Sequence, residues 1–171
     1  SGKSGSAWLI EQNHGLKLPR ALQQDFSQHV QQETDRHGKE MTQHALWQLF
    51  RSRYGLVADP HFALQSYRSD SQQDGQLRLT ASVVTQGATR QLEGQGNGLL
   101  SAAASGLSRW LNTPFVIKDY HEHTLGERSD SRSVAYIRCL FQDGSSRWGV
   151  GIDSDVARAS LQALFNAVSC L

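Results

Sequence analysis

The stretch LRLTASVVTQGATRQLEGQGNGLLSAAASGLSRWL at 77–111 decides the fold. Leu77, Leu79, Ala81 and Val83 alternate with Arg78, Thr80 and Ser82. A period of two is that of a strand with one buried face. Thr85, Gln86, Gly87 and Ala88 read as a turn, and 89–93 as the returning strand. After Gly94-Gln95-Gly96-Asn97-Gly98 the period changes: Leu100, Ala103, Ala104, Leu107 and Leu111 lie on one face of a helix. A further strand is expected just upstream, over 61–68, so the unit reads strand-strand-strand-helix.

The pattern restarts after Asn112-Thr113-Pro114. Phe115, Val116 and Ile117 begin a strand. Ala135, Ile137, Cys139 and Phe141 alternate with Tyr136, Arg138 and Leu140. Asp143-Gly144 is a hairpin signal. Trp148, Val150 and Ile152 alternate with glycines, and Ala157, Leu161, Leu164, Phe165 and Val168 form a last helical stripe, capped by Ser154 or Asp155. The sequence therefore predicts an α+β fold with two βββα units, 61–111 and 114–171, a sheet packed on helices.

Residues 1–57 have a different texture. Leu18, Leu22, Phe26 and Val30 recur every four residues, predicting a helix over 19–35 with Pro19 in its first turn. Gly38 marks a stop, Thr42 an N-cap, and Leu46, Leu49 and Phe50 a further apolar stripe ended by Gly55. A short helix over 6–12 is expected before both. Three short helices bury little alone, so they should pack on each other and on a partner. Residues 57–60 read as the link to the second domain, 61–171.

The 171 residues are 38% hydrophobic and 19% charged, enough for a buried core. A net charge of +1 gives no electrostatic footprint for nucleic acid or an anionic membrane. No apolar run is long enough for a transmembrane helix, and the start lacks the apolar core of a signal peptide. Cys139 and Cys170 read as reduced thiols of a cytoplasmic protein. The abrupt start suggests a domain cut from something longer.

Chemistry-bearing patterns are few. The glycine-rich 94–98 segment opens a helix, whose free N–H groups attract a carboxylate or phosphate; it equally suits a tight turn needing positive φ. Its spacing is not that of a dinucleotide fingerprint. SGKS at 1–4 lacks the preceding strand and glycine of a phosphate-binding loop. His121 and His123 share a strand face with Asp119, a possible metal pair without an evident further ligand, or else polar groups bonding to backbone. No serine sits in a nucleophile-elbow context, and nothing assembles into an active site.

Ordered blocks along the chain resemble the 2-isopropylmalate synthases. HGLKLPRALQQDFSQHVQ at 14–31 is similar to their HGLxLPRRLQxEFSxxVQ stretch, and ALWQLFRSRY at 45–54 to their xLWDLFxxxY helix. GQGNGLLSA at 94–102 resembles their GxGNGPLxA loop, DYHEH at 119–123 their DYxEH strand end, and WGVGID at 148–153 with ASLQALFNAV at 159–168 their C-terminal end. The resemblance implies a helical subdomain over 1–57 and a leucine-binding allosteric domain over 61–171 that pairs as a homodimer. It also implies that catalysis, an acyl transfer from acetyl-CoA to 2-oxoisovalerate in leucine biosynthesis, belongs to an N-terminal barrel that this sequence lacks. The divalent metal belongs there too, so no cofactor or metal and no catalytic residue is expected here.

For the effector site, the N–H groups around Asn97 and Gly98, continuing into Leu100 and Ser101 at the helix start, can take leucine's carboxylate; the socket follows from the match to the family motif. Ile117, Tyr120 and Thr124 should line its socket with Leu100, with Ser131 and Ile152 as outer members. The Asp153 carboxylate is our candidate for its ammonium. Leu99 stands where the family usually has proline, Thr124 where it has a small alanine, and Ser131 where it has a small apolar residue. Three rivals follow: a citramalate-synthase-type domain sensing another branched-chain amino acid, a metal-dependent enzyme using His121 and His123, and a dimerisation module that has lost its ligand.

Overall fold

The N-terminal part forms three helices, α1 (Lys3–His14), α2 (Arg20–His37) and α3 (Gln43–Tyr54). The computed structural model describes residues 3–126 and 131–169; Cys170 and the first two residues of the SGKS segment lie outside these. Helix α1 is longer than the expected 6–12. Pro19 sits at the N-cap of α2 rather than in its first turn, its carbonyl accepting from Gln23 N at 2.9 Å. Gly38, at φ 71°, closes α2 by donating its N–H to Thr34 O. Thr42 Oγ1 accepts from Ala45 N at 3.1 Å and so starts α3.

The remainder is α+β: β1 (Ala63–Ser71), β2 (Leu77–Thr85), β3 (Ala88–Gly96), α4 (Leu99–Leu111), β4 (Phe115–Leu125), β5 (Arg132–Phe141), β6 (Ser146–Asp153) and α5 (Val156–Val168). Two antiparallel sheets result, ordered β1-β2-β3 and β4-β5-β6, each followed by its helix. The 85–88 turn is a two-residue hairpin, Thr85 opposite Ala88, with Gln86 and Gly87 at φ 52° and 76°. Strand β1 begins two residues later than expected, and its start is tied to α5: Gln162 donates to Phe62 O and accepts from Leu64 N. Asp155 caps α5, its carboxylate accepting from Ala157 N at 3.0 Å.

One core joins both sheets and both helices of this α+β region. Leu79, Ala81, Val83 and Leu92 from the first sheet meet Leu107, Leu161, Leu164 and Phe165 from the helices and Ala135, Ile137 and Cys139 from the second. Burial pushes the Cys139 thiol up to about 12 and keeps it protonated.

A second core answers what the three short helices pack on. Val134, Tyr136, Trp148 and Val150, on the opposite face of the second sheet, are buried against Ile10, Leu22, Phe26, Phe50 and Tyr54. Strand β5 is thus covered on both faces and reads as four successive buried residues, 134–137. Each such large side chain contributes roughly 1.5–3 kcal/mol on burial, so α1–α3 are held by sheet packing and not by the 57–60 link alone.

Candidate functional site

Glycines place the start of α4. A Cβ on Gly94 would fall 1.8 Å from Ala102 O, and one on Gly96 2.6 Å from Ser101 Oγ. These residues let the helix backbone lie directly on β3, which therefore runs to Gly96. The sequence had offered positive φ as their structural reason; Gly94, Gly96 and Gly98 are not among the positive-φ glycines, and close approach is what the first two serve. Gly149 and Gly151 repeat the device against α5, where a Cβ would meet Ala163 O at 2.1 Å and Ala159 O at 2.2 Å.

Gly98 is the N-cap of α4, extended at φ −157° and without a side chain to cap the helix. Its own N–H donates to Ser101 Oγ at 3.0 Å, and its carbonyl accepts from Ala102 N at 2.9 Å. The first-turn amides of Leu99, Leu100 and Ser101 have no intrahelical acceptor, and the helix dipole adds partial positive charge there.

Strand β4 faces this turn. Its register shifts between Ile117 and Asp119, a bulge that puts Ile117 opposite Cys139 and Tyr120 opposite Ile137. Without it, residues three apart would point to opposite faces; with it, both lie on the side of the helices, followed by Glu122 and Thr124. Tyr120 OH donates to Glu122 Oε2 at 2.5 Å and lies 2.8 Å from Ser160 Oγ. Partial burial, reinforced by the Glu122 carboxylate, raises the phenol above its ordinary range.

Gly98, Leu99, Leu100, Ser101, Tyr120, Glu122, Val156, Ala157 and Ser160 line one groove of about 380 Å³. Of the residues expected from sequence, Gly98, Leu100, Ser101 and Tyr120 meet here. The others do not line it. Asn97 is tied outward, its Oδ1 accepting from Gln76 Nε2 at 2.7 Å. Ile117 is half-buried against the larger core, Thr124 is exposed opposite Ser133, and Ser131 is half-buried just before β5. Ile152 and Asp153 line a separate concavity of about 450 Å³. Asp153 is engaged there: Oδ1 accepts from Asp155 N at 3.0 Å, and Oδ2 lies 3.6 Å from Arg158 Nε.

Of the groove's lining, sequence reasoning did not name Glu122, Val156, Ala157 and Ser160, and named Leu99 only as a departure from the family's proline. Glu122 had a signal, since alternation puts it on the Tyr120 face. The α5 residues had none, because only the packing of α5 beside α4 brings its first turn to the groove.

Of the histidine pair, His123 is used structurally, and His121 is exposed on β4. His123 Nε2 lies 2.7 Å from Tyr136 OH and accepts from Lys17 N at 3.1 Å, joining β4 to the chain entering α2. Asp119 is bound by Arg138. Among the described residues, no three His, Cys, Asp or Glu side chains are grouped to hold a metal ion.

Residues 40–171 match the family described as the LeuA allosteric (dimerisation) domain. Over 98% of its length the chain is 46% identical to a 2-isopropylmalate synthase of Marinomonas sp. (strain MWYL1). Over its whole length it is 38% identical to one of Rhodospirillum rubrum, and over 99% it is 36% identical to one of Thermobifida fusca (strain YX). It spans only 30%, 31% and 29% of those relatives. With more than half of its residues in the match and two βββα units in its fold, the chain belongs to the LeuA allosteric (dimerisation) domain family.

Proposed function

We propose that this chain is the feedback-regulatory region of a 2-isopropylmalate synthase and that leucine binds in the α4–β4 groove. One observation carries the reading: the open first turn of α4 and the Tyr120–Glu122 pair share a concavity whose walls between them are apolar. A free amino acid needs all three. Its carboxylate takes the amides of Leu100 and Ser101, as anions do at helix starts. Its ammonium takes Glu122, the carboxylate that lines this groove, in place of Asp153. Its isobutyl group lies among Leu99, Leu100, Val156 and Ala157, a burial worth roughly 1.5–3 kcal/mol.

The groove is open. Tyr120 and Val156 keep 39% and 41% of their surface exposed. A second copy of the chain closes it in the proposed dimer, and Ile117, Thr124 and Ser131 then serve the same face. The acyl transfer from acetyl-CoA to 2-oxoisovalerate, with its divalent metal, belongs in this reading to the part of the relatives that the chain does not span. Leucine inhibits by binding one arrangement of the regulatory pair more tightly, a coupling of about 1–3 kcal/mol.

Calorimetry of the chain with leucine, isoleucine and valine tests this. Saturable leucine binding, tighter than that of the other two, is expected. A preference for isoleucine moves the assignment to a citramalate-synthase-type domain. No saturable heat with any of the three at millimolar concentration refutes the sensor reading.

A further inference from the structure

The concavity that holds Ile152 and Asp153 shares no lining residue with the α4–β4 groove, although α5 borders both. Val156, Ala157 and Ser160 face the groove, while Arg158, Gln162 and Asn166, spaced by four, face this second cleft of about 450 Å³. Its walls come from both the helical layer and the α+β region: α3, residues 55–60, β1, β5, β6 and α5.

The charges on those walls do not balance. Arg51, Arg132 and Arg158 line the cleft, with Asp153 as its one described carboxylate. Of these arginines, among the described residues, only Arg158 is ion-paired, at 3.6 Å from Asp153. Arg51 spends Nε on Leu56 O at 2.9 Å, and Arg158 spends Nη2 on Leu64 O and Gln65 O. A guanidinium has five N–H donors, so each keeps donors for another partner. The cleft floor is rigid: the Asn166 amide donates to Val150 O at 2.8 Å and Gly55 O at 3.2 Å. The three cations therefore stand on fixed elements around a concave space, the arrangement that captures oxyanions by forked hydrogen bonds.

We propose that this cleft binds a small organic anion through carboxylate or phosphate oxygens held by Arg51, Arg132 and Arg158. Arg51 belongs to α3 and the other two to the α+β region, so the bound anion ties the helical layer to the second sheet. It is a second effector site, independent of leucine.

The test is calorimetry and thermal shift of the full chain with orthophosphate and with malonate, at ionic strength fixed with sodium chloride. Saturable binding and a raised unfolding midpoint are expected with at least one anion, and which one identifies the oxyanion. Arg132→Gln, at an exposed position, should weaken binding about tenfold or more, as for loss of a charged hydrogen bond. Arg132→Lys, which keeps the charge and loses the fork, should weaken it less. Arg51→Gln should weaken it as well, its fold checked by circular dichroism. Leucine binding should be unchanged in Arg132→Gln, so the two sites fail separately. Absence of saturable binding by both anions, or binding indifferent to Arg132→Gln and Arg51→Gln alike, overturns the proposal.

Discussion

Replacing Glu122 by glutamine removes one charge from the groove and little else. The residue is exposed on β4, and the amide oxygen of glutamine still accepts from Tyr120 OH, so folding stability should change by no more than about 0.5 kcal/mol. Leucine affinity should change far more. Two unit charges at 4 Å attract by about 1 kcal/mol in water and about 4 kcal/mol at the effective dielectric of a protein surface. An open groove lies between these limits, and a hydrogen bond to a charged group contributes about 1.5–3 kcal/mol. The dissociation constant for leucine should therefore rise roughly 10- to 150-fold. Calorimetry with leucine and with 4-methylpentanoate, the same skeleton without the amine, isolates the cause. Wild type and Glu122→Gln should differ for leucine, and 4-methylpentanoate should not be weakened by the change. Unaltered leucine affinity, or equal losses for both ligands, would refute the assignment of the ammonium to Glu122.

Gly98→Asp should separate stability from binding. A Cβ there meets nothing within 4 Å, and an aspartate cap on α4 adds about 0.5–1 kcal/mol, yet it occupies the amides proposed for the leucine carboxylate; the unfolding midpoint should rise while leucine affinity falls. Gly149→Ala should cost about 3 kcal/mol, the upper end of ordinary overpacking, because its Cβ would lie 2.1 Å from Ala163 O and 2.3 Å from Ala167 N; denaturant melts measure it, and a loss under about 1 kcal/mol would mean that α5 is not seated as described. Stability should also fall on acidification below about pH 6.5. Burial, with Arg53 nearby, holds His29 below its ordinary value of 6.5, and burial does the same for His14. The unfolded chain then binds more protons than the folded one, so stability falls with falling pH through that window. His29 Nε2 accepts from Arg53 Nε at 3.0 Å and must give up that bond to take a proton; His29→Gln should flatten part of the slope.

Periodicity made the elements legible, and packing decided the rest. Alternation in 77–83 and 135–141 and the stripes of α4 and α5 were enough to read two βββα units, because each has one dominant buried face. Helix ends followed from Gly38, Thr42 and Gly55. The second core was not legible. Val134 and Tyr136 alternate with Ala135 and Ile137, all four are buried, and the sequence does not say that a strand has two partners. The bulge at Ile117–Asp119 was invisible for a similar reason: one inserted residue leaves no periodic trace in an eleven-residue strand. At the candidate site, the α4 start was named from its free amides and Tyr120 from the resemblance, and the two line one groove. Ile152 and Asp153 were grouped with them, although the chain sends β6 past the other side of α5 to the second cleft.

Strand β4 has a property that bears on how a bound amino acid would act at a distance. Tyr120 presents its ring to the groove, and three residues on His123 points to the opposite face, where Tyr136 OH and Lys17 N hold it. The strand next to it is packed on both sides, by Ile137 toward α4 and α5 and by Tyr136 toward α1–α3. A close-packed sheet between two cores does not deform smoothly; it tilts or shifts as a unit. Any closure of the groove that moves Tyr120 must therefore carry His123 with it. The contact at stake between sheet and helical layer is Lys17 N to His123, one hydrogen bond of about 0.5–1.5 kcal/mol; His123 and Tyr136 belong to paired strands and move together. That value reaches the lower end of the coupling of about 1–3 kcal/mol that feedback would require. The proposed linkage would therefore run through the two faces of one sheet, with the α1–α3 packing on Tyr136 beside it.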